Sequence, residues 1–464
     1  MSDPDKNLSD ETNVVFEALE ADHMPPAGKR ISAAGAVAQS VWAKLFIVGI
    51  NASTGILTAR NLMPAGRGEL AAMTLWPVFL GSALTLGMPS ALTYQMRSQP
   101  ERQARLVGAA LLIAVLCSIA AMALGGVLVP FWIHQYSAQT IYFARIFLFS
   151  CPFASIVLVG RAALECDGNF TASNKLLVVS PASTLLLLIV LALTHTMTPV
   201  RAAFAYVLVG IFPVIWLLML LGKRFKPTLQ SLRASMALLF SYGIRSYGID
   251  LCGAMALYVD QALVVRVLTP SMMGLYVVAL SLSRMLNAFH TSVVMVLFPL
   301  AVSQSPETIR DMTGRATRMS TLLTTLGGLC VMLLGPVLLT LLYGREYRGA
   351  LVVLDVLVVE VILSGATLVL SQAFMALGRP GVITILQVTG LMLSVPLILV
   401  LTPRLGILGA GLGLLISTTA RLLFVLICFP AFVKLRVPDI LPRVSDLLFL
   451  KGILLKRLCR QRAS

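Results

Sequence analysis

Residues 57–71, LTARNLMPAGRGELA, and residues 263–277, LVVRVLTPSMMGLYV, decide how this chain is organised. Laid 206 positions apart, they share Leu57/Leu263, Arg60/Arg266, Leu62/Leu268, Pro64/Pro270 and Gly68/Gly274. Leucine matches are cheap in an apolar chain, whereas an arginine, a proline and a glycine in one register are not. A fainter echo, at an offset of 210, sets AALECDGNF (162–170) against AFMALGRPG (373–381), with Ala163/Ala373 and Gly168/Gly378 in register. The pattern Arg-x-Leu-x-Pro-x-x-x-Gly therefore occurs twice, each time as a charged, Pro/Gly-punctuated interruption between long apolar runs.

Those runs set the class. With 464 residues, 58% hydrophobic and only 12% charged, and a mean hydropathy of +0.90, the chain reads as an all-α polytopic membrane protein. Apolar segments of about 20 residues, enough to cross a ~30 Å hydrocarbon core as helix, follow one another throughout. Twelve spans are predicted, at about 33–58, 69–96, 105–130, 138–160, 172–195, 199–222, 236–265, 274–302, 316–343, 348–376, 381–402 and 406–432. The repeat offset equals six spans. Six is even, so both copies enter the membrane in the same direction, as two parallel six-helix bundles related by an axis along the membrane normal. The expected organisation is an acidic tail (1–32), an N-lobe (33–222), a basic linker (223–235), a C-lobe (236–432) and a basic amphipathic tail (433–464). Each copy of the repeat occupies the outer turn between the first two helices of its bundle. There Pro and Gly build a tight turn and Arg anchors at the interface.

Charge orients this arrangement. The loops expected inside hold thirteen Lys/Arg and those expected outside seven, which puts both termini in the cytoplasm. The head carries Asp3, Asp5, Asp10, Glu11, Glu17, Glu20 and Asp22 with no apolar core, and reads as a disordered acidic segment rather than a secretory signal. The tail VSDLLFLKGILLKRLCRQR (444–462) alternates apolar and basic residues, as an interfacial helix on an anionic leaflet would. The net charge of +16 is thus accounted for by membrane lipid, and no nucleic-acid partner is called for. Seven cysteines without a CxxC pair give no metal site and no disulfide framework. No connecting loop exceeds about a dozen residues, so the work of the chain is done within the bilayer or at its edge.

The stretches RNLMPAGRGELAAMTLWPVFLGSALTLGMPSAL and YVDQALVVRVLTPSMMGLYVVALSLSRM resemble the polysaccharide-biosynthesis flippases of the multidrug/oligosaccharidyl-lipid/polysaccharide exporter superfamily. The resemblance covers about 33–432. It implies a MATE-like two-lobe fold whose central cavity opens alternately to either side of a bacterial inner membrane. The implied cargo is an undecaprenyl-diphosphate-linked oligosaccharide, and a polysaccharide polymerase and glycosyltransferases would work alongside. No cofactor is implied beyond H⁺ or Na⁺ coupling. The alternatives are a cation-coupled drug exporter on the same fold and a membrane enzyme of polysaccharide assembly. The first favours carboxylates over cations in its cavity, and the second needs a substantial catalytic outer loop, which this chain lacks.

Charge inside a membrane is expensive and marks candidate sites. Lys44, Arg245 and Arg284 are candidate cavity cations for a diphosphate, which a guanidinium forks and an ammonium meets as a point charge. Arg67 joins them because it and Glu69 have no counterpart in the second repeat, where Met273 and Leu275 stand instead. Arg145 and Arg421 read as snorkelling or capping residues. Asp260, Asp250, Asp355 and Glu360 are candidates to bind a coupling ion or proton, Asp260 alternatively forming an internal pair with Arg245 or Arg284. Tyr242, Tyr247 and Tyr258 are candidate sugar contacts or interface anchors. Arg60, Pro64, Gly68, Arg266, Pro270 and Gly274 are read as architecture.

Overall fold

The computed structural model describes residues 33–301 and 304–440. The chain divides into two compact units, Met1–Phe46 and Ile47–Ser464. The described part of the first is helical from Ala33 onward. The acidic tail and nearly all of the basic tail lie outside the described residues. The rest is built from α1 (Ala33–Ala83), α2 (Met88–Ser98), α3 (Gln103–Trp132), α4 (Ala138–Phe147), α5 (Cys151–Cys166), α6 (Phe170–Leu193) and α7 (Pro199–Phe225). After a short linker come α8 (Leu232–Val267), α9 (Pro270–Arg284), α10 (Asn287–Ala301), α11 (Pro306–Leu338), α12 (Leu351–Ala376), α13 (Pro380–Leu405) and α14 (Ile407–Cys428). No strand occurs among the described residues.

Ten helical stretches are long and apolar enough to cross a membrane, eleven when the bent α8 is included. The first of them, Phe46–Ser98, contains two passes. A straight helix over 47–83 would be roughly 55 Å long, nearly twice the ~30 Å core, and the helix is broken at Met63 (φ 58°, ψ 173°). Ala59 and Gly68, on either side of that break, both lie against the region formed by 270–274 and Tyr347. The chain therefore doubles back at Met63, which gives the expected twelve passes. The expected turn over 59–68 is corrected in one respect: a single residue makes it, and Pro64, pre-set for the first turn of a helix, starts the next helix at once. In the second copy Leu268 and Thr269 are extended, and Pro270 opens α9 under the Thr269 cap.

The linker is shorter than expected. Helix α7 runs through Phe225 and α8 begins at Leu232, leaving 226–231 rather than 223–235. Helix α8 is bent by 46° between Leu232–Gly248 and Asp250–Val267, and its first segment packs with the N-terminal half. Leu239 is buried in that half's core, the Gln95 amide donates to the Leu238 carbonyl at 3.3 Å, and the Tyr247 hydroxyl donates to the Ala83 carbonyl at 2.9 Å. Residues 236–248, expected to open the C-lobe, are thus held by its partner, because their apolar and aromatic side chains complement α2.

The fainter repeat also has a physical basis. Gly168 (φ 78°) and Gly378 (φ 68°) end α5 and α12 in the left-handed conformation. In each case the next amide reaches back, Asn169 to the Leu164 carbonyl and Arg379 to the Phe374 carbonyl, both at 2.8 Å. This is a glycine-dependent helix stop, used once per lobe at the same place.

Three cores divide the molecule by height. The largest draws on both lobes: Leu62, Leu70, Trp76, Val129 and Phe147 from the first, and Leu268, Met273, Tyr276, Tyr347 and Val353 from the second. It lies at the end bearing Met63, Thr269 and Gly344, called the turn end below. Towards the opposite, linker end the cores separate. One contains Met88, Leu106, Val159 and Leu217 with Leu239, and the other contains Ile309, Leu370, Phe374 and Phe429. Among the described residues one core spans both lobes at one end, and towards the other end the buried cores are two.

The repeated motif is what joins the lobes. A Cβ on Gly68 would overlap the carbonyl oxygen of Pro270 and lie 2.7 Å from its carbon and 3.0 Å from the Gly274 nitrogen. A Cβ on Gly274 would overlap the carbonyl oxygen of Pro64 and lie 2.7 Å from its carbon. The two Pro-x-x-x-Gly segments cross backbone to backbone, each glycine on the other's proline, as a two-fold relation requires. The arginines cross as well. Arg60 donates to the carbonyls of Leu341 and Leu342, at the end of the ninth pass. Arg266 lies 4.8 Å over the ring of Trp132, at the end of the third. Around them the Trp132 indole donates to the Ala262 carbonyl, the Gln135 amide to the Arg266 carbonyl at 2.6 Å, and the Tyr347 hydroxyl to the Ala59 carbonyl at 3.1 Å.

Candidate functional site

Two polar constellations stand apart from this joint. The first is a cleft of about 810 Å³ at the linker end, lined by Pro89, Ser90, Thr93, Tyr94, Arg97 and Ser98 of α2, by Ala162, Glu165 and Cys166 of α5, and by Phe170 and Tyr242. Helix α2 can present this face because Leu92, Gln95 and Met96 turn the other way, into the core. Tyr94 stacks on Tyr242 of α8 with ring centroids 4.3 Å apart and planes 11° from parallel. Glu165, the single carboxylate of the wall, is already neutralised: it accepts from Arg161 at 2.8 Å and from Ser173 at 2.6 Å. Arg97, exposed at the end of α2, remains as the unmatched charge of the lining. At the inner rim Ser90 donates to Asp250 at 3.1 Å, which ties α2 to α8.

The second lies inside the C-lobe. Asp260 of α8 is 2% exposed, and its Oδ2 accepts from the Arg284 guanidinium of α9 at 2.8 Å. The fully buried Tyr276 hydroxyl of α9 lies beside the same carboxylate and interacts with it, although neither it nor the Asp260 Oδ1 makes a hydrogen bond of ordinary geometry among the described residues. Glu360 of α12 accepts from Thr418 of α14 at 2.8 Å, within electrostatic range of Arg284 and Arg421. Two carboxylates and two guanidiniums make a network without net charge, with Arg284 closest to Asp260.

The structure thus brings together Asp260, Glu360 and Arg284, which the sequence offered separately, and chooses Arg284 over Arg245 as the partner of Asp260. Arg421, expected to snorkel, belongs to the same network. Arg245 is exposed on the first segment of α8, before the bend, whereas Asp260 lies on the second. Asp250 belongs to the α2–α8 seam. Asp355 is half-buried on α12, and five residues along a helix turn it by about 140° from Glu360. Arg67 lies at the turn end within electrostatic range of Tyr343 and Tyr347. Glu69 faces Tyr136 instead, and burial together with that carboxylate pushes the Tyr136 hydroxyl above its usual range. The two unrepeated charges therefore face opposite lobes. Of the tyrosines, Tyr242 enters the cleft, Tyr247 spends its hydroxyl on Ala83, and Tyr258 packs 6.1 Å from Phe79. The Lys44 side chain lies outside the described residues. No group of three or more metal-ligating side chains occurs among the described residues.

Tyr94 and Arg97 are the site residues that sequence reading passed over. Their signal was a ring and a guanidinium three apart on one helix face, hidden because Arg97 counts equally well as an inner-loop cation.

A family model described as polysaccharide biosynthesis protein matches residues 57–352. A search of curated proteins finds no match. Among solved structures, the chain is similar to a lipid II flippase, MurJ, in an inward closed conformation, with a TM-score of 0.72 at 13% identity over 89% of each chain. An inward-facing MATE-family multidrug transporter of the MOP superfamily gives 0.68 at 14% identity, over 84% of this chain and 96% of the other. A Vibrio cholerae MATE transporter gives 0.60 at 15% identity, over 85% and 97%. At such identities these likenesses show the fold.

Proposed function

The chain belongs to the polysaccharide biosynthesis protein family, and from that premise we propose that it flips an undecaprenyl-diphosphate-linked oligosaccharide from the cytoplasmic to the outer leaflet of a bacterial inner membrane. The observation that carries this reading is the division of the core. Two lobes that share one core at the turn end and hold separate cores towards the linker end fit one of the two states that alternating access requires. With the linker end and both termini cytoplasmic, as the loop charges favour, this is the state that receives cargo from inside. A polymerase would act on the flipped product, and glycosyltransferases would supply the substrate.

The charge arrangement supports an anionic cargo over a cationic drug. Asp260 is paired with Arg284, Glu360 lies within electrostatic range of Arg284 and Arg421, and the cleft keeps one carboxylate paired while Arg97 stays free. The same network is where a coupling proton or Na⁺ would act, if transport is ion-driven. Deleting the gene and restoring the protein tests the reading. Surface polymer should vanish on deletion and return with the wild type, while resistance to cationic dyes stays unchanged. Dye sensitivity with normal polymer would overturn it in favour of drug export.

A further inference from the structure

The N-lobe cleft has the chemistry of a subsite, and its residues make a more specific statement than the lobe geometry does. Tyr94 is 49% exposed, yet its ring is fixed from one side by the stack on Tyr242. A ring immobilised in advance offers its other face to a ligand with little further entropy to lose. Three residues on, in the same wall, stands the Arg97 guanidinium, about 5–6 Å away at Cβ. A flat apolar face beside a forked cation matches a pyranose ring carrying a phosphate on its anomeric oxygen. The apolar C–H face of the sugar lies on the aromatic ring, and the phosphate meets the guanidinium. The exposed Ser98 adds a hydroxyl to the rim. The opposite wall repels neither group, since Glu165 is neutralised by Arg161 and Ser173. A cleft of about 810 Å³ is in the ~300–1,000 Å³ range of small-molecule sites, enough for a headgroup and too small for a polymer.

We propose that this cleft holds the first sugar and the diphosphate of a lipid-linked glycan, the sugar ring on Tyr94 and the diphosphate on Arg97. The proposal rests on the flippase reading and specifies where its cargo is recognised. Binding is measured on the full-length protein in lipid nanodiscs with three probes: inorganic diphosphate, undecaprenyl diphosphate, and undecaprenyl diphosphate bearing one N-acetylglucosamine. The wild type should prefer the sugar-bearing lipid to the bare one. Tyr94→Leu should erase that preference, a loss of about fivefold from the 0.5–1.5 kcal/mol of an aromatic contact, while Tyr94→Phe keeps it within about twofold. Arg97→Gln should weaken both lipids alike, by about tenfold or more, as expected for a charge-assisted bond of 1.5–3 kcal/mol. Inorganic diphosphate binding as tightly as the lipids would identify a free-phosphate site and overturn the proposal. Wild-type affinities in Tyr94→Leu and Arg97→Gln would also overturn it while leaving the flippase reading intact, because that reading is judged by polymer export. Should Tyr94→Leu fold poorly, Ser98→Trp fills the cleft from an exposed position, and unchanged binding there is equally fatal.

Discussion

The turn end and the linker end are built by opposite means. At the turn end the lobes meet through backbone. Gly68 and Gly274 let two helices touch at their carbonyls, and the arginines, Gln135, Trp132 and Tyr347 address main-chain oxygens or an aromatic face across the boundary. Towards the linker end the buried cores are two, one of them taking in Leu239 of α8, and Tyr94 and Arg97 line an open cleft. In a bilayer, where lipid is as apolar as leucine, helices associate by close packing at small residues and by hydrogen bonds rather than by hydrophobic exclusion. The glycine crossing therefore holds the joined end shut. Towards the linker end the close backbone crossing is a different one, Gly87 against Gly243, and it ties the first segment of α8 to the N-terminal half rather than one lobe core to the other.

Variants can break this contrast in order of expected size. Gly68→Val or Gly274→Val places branched carbon on a carbonyl oxygen, and overpacking alone costs about 1–3 kcal/mol or more. Each should abolish polymer export and lower the thermal midpoint in detergent more than any change at the linker end. The Gly68→Ala/Gly274→Ala double variant should cost less than the sum of its singles, because both disrupt one crossing.

Next in its effect on export, Arg284→Met strands the Asp260 carboxylate and should cost about 3–5 kcal/mol in stability. The Arg284→Met/Asp260→Asn pair should recover most of it. This network lies within one lobe, so its variants should lower the thermal midpoint, and any change in which end is closed should then depend on pH or Na⁺.

Smaller effects belong to the side-chain clasps. Arg266→Ala loses a cation–π contact worth about 0.5–2 kcal/mol, and Tyr347→Phe loses a hydrogen bond worth about 1 kcal/mol. Both should shift the balance towards opening at the turn end, read as increased labelling of a cysteine at Ala65 by a membrane-impermeant maleimide. Labelling unchanged from the parent would remove the clasps from the gate.

The sequence disclosed the joint without disclosing what it joins. Arg60, Pro64, Gly68 and their partners 206 positions on are visible as a repeat. Tertiary crossing leaves no local signal, however, so a turn within each bundle is the natural reading and contact between bundles is not. The twelve passes were legible from apolar run length. The tight reversal was not, because one residue at φ 58° changes neither hydropathy nor period. Asp260 and Arg284 stood out as intramembrane charges, and their pairing depends on how α8 meets α9, which spacing alone left open between two arginines. The cleft was least legible: its ring stack joins residues 94 and 242 on helices that sequence reading assigned to different lobes.

The central claim is that the lobes are joined at the turn end and part at the linker end, and that cargo transport exchanges the two. Spin labels at Ala65 and Ser271 report the first end, and labels at Ala172 and Ile383 the second, in a cysteine-free background in nanodiscs. Without cargo, the turn-end pair should give a short, narrow distance distribution and the linker-end pair a longer one. Adding undecaprenyl diphosphate bearing a sugar should lengthen the first and shorten the second in part of the population. Distances that stay fixed at both ends, or move in the same direction, would contradict it.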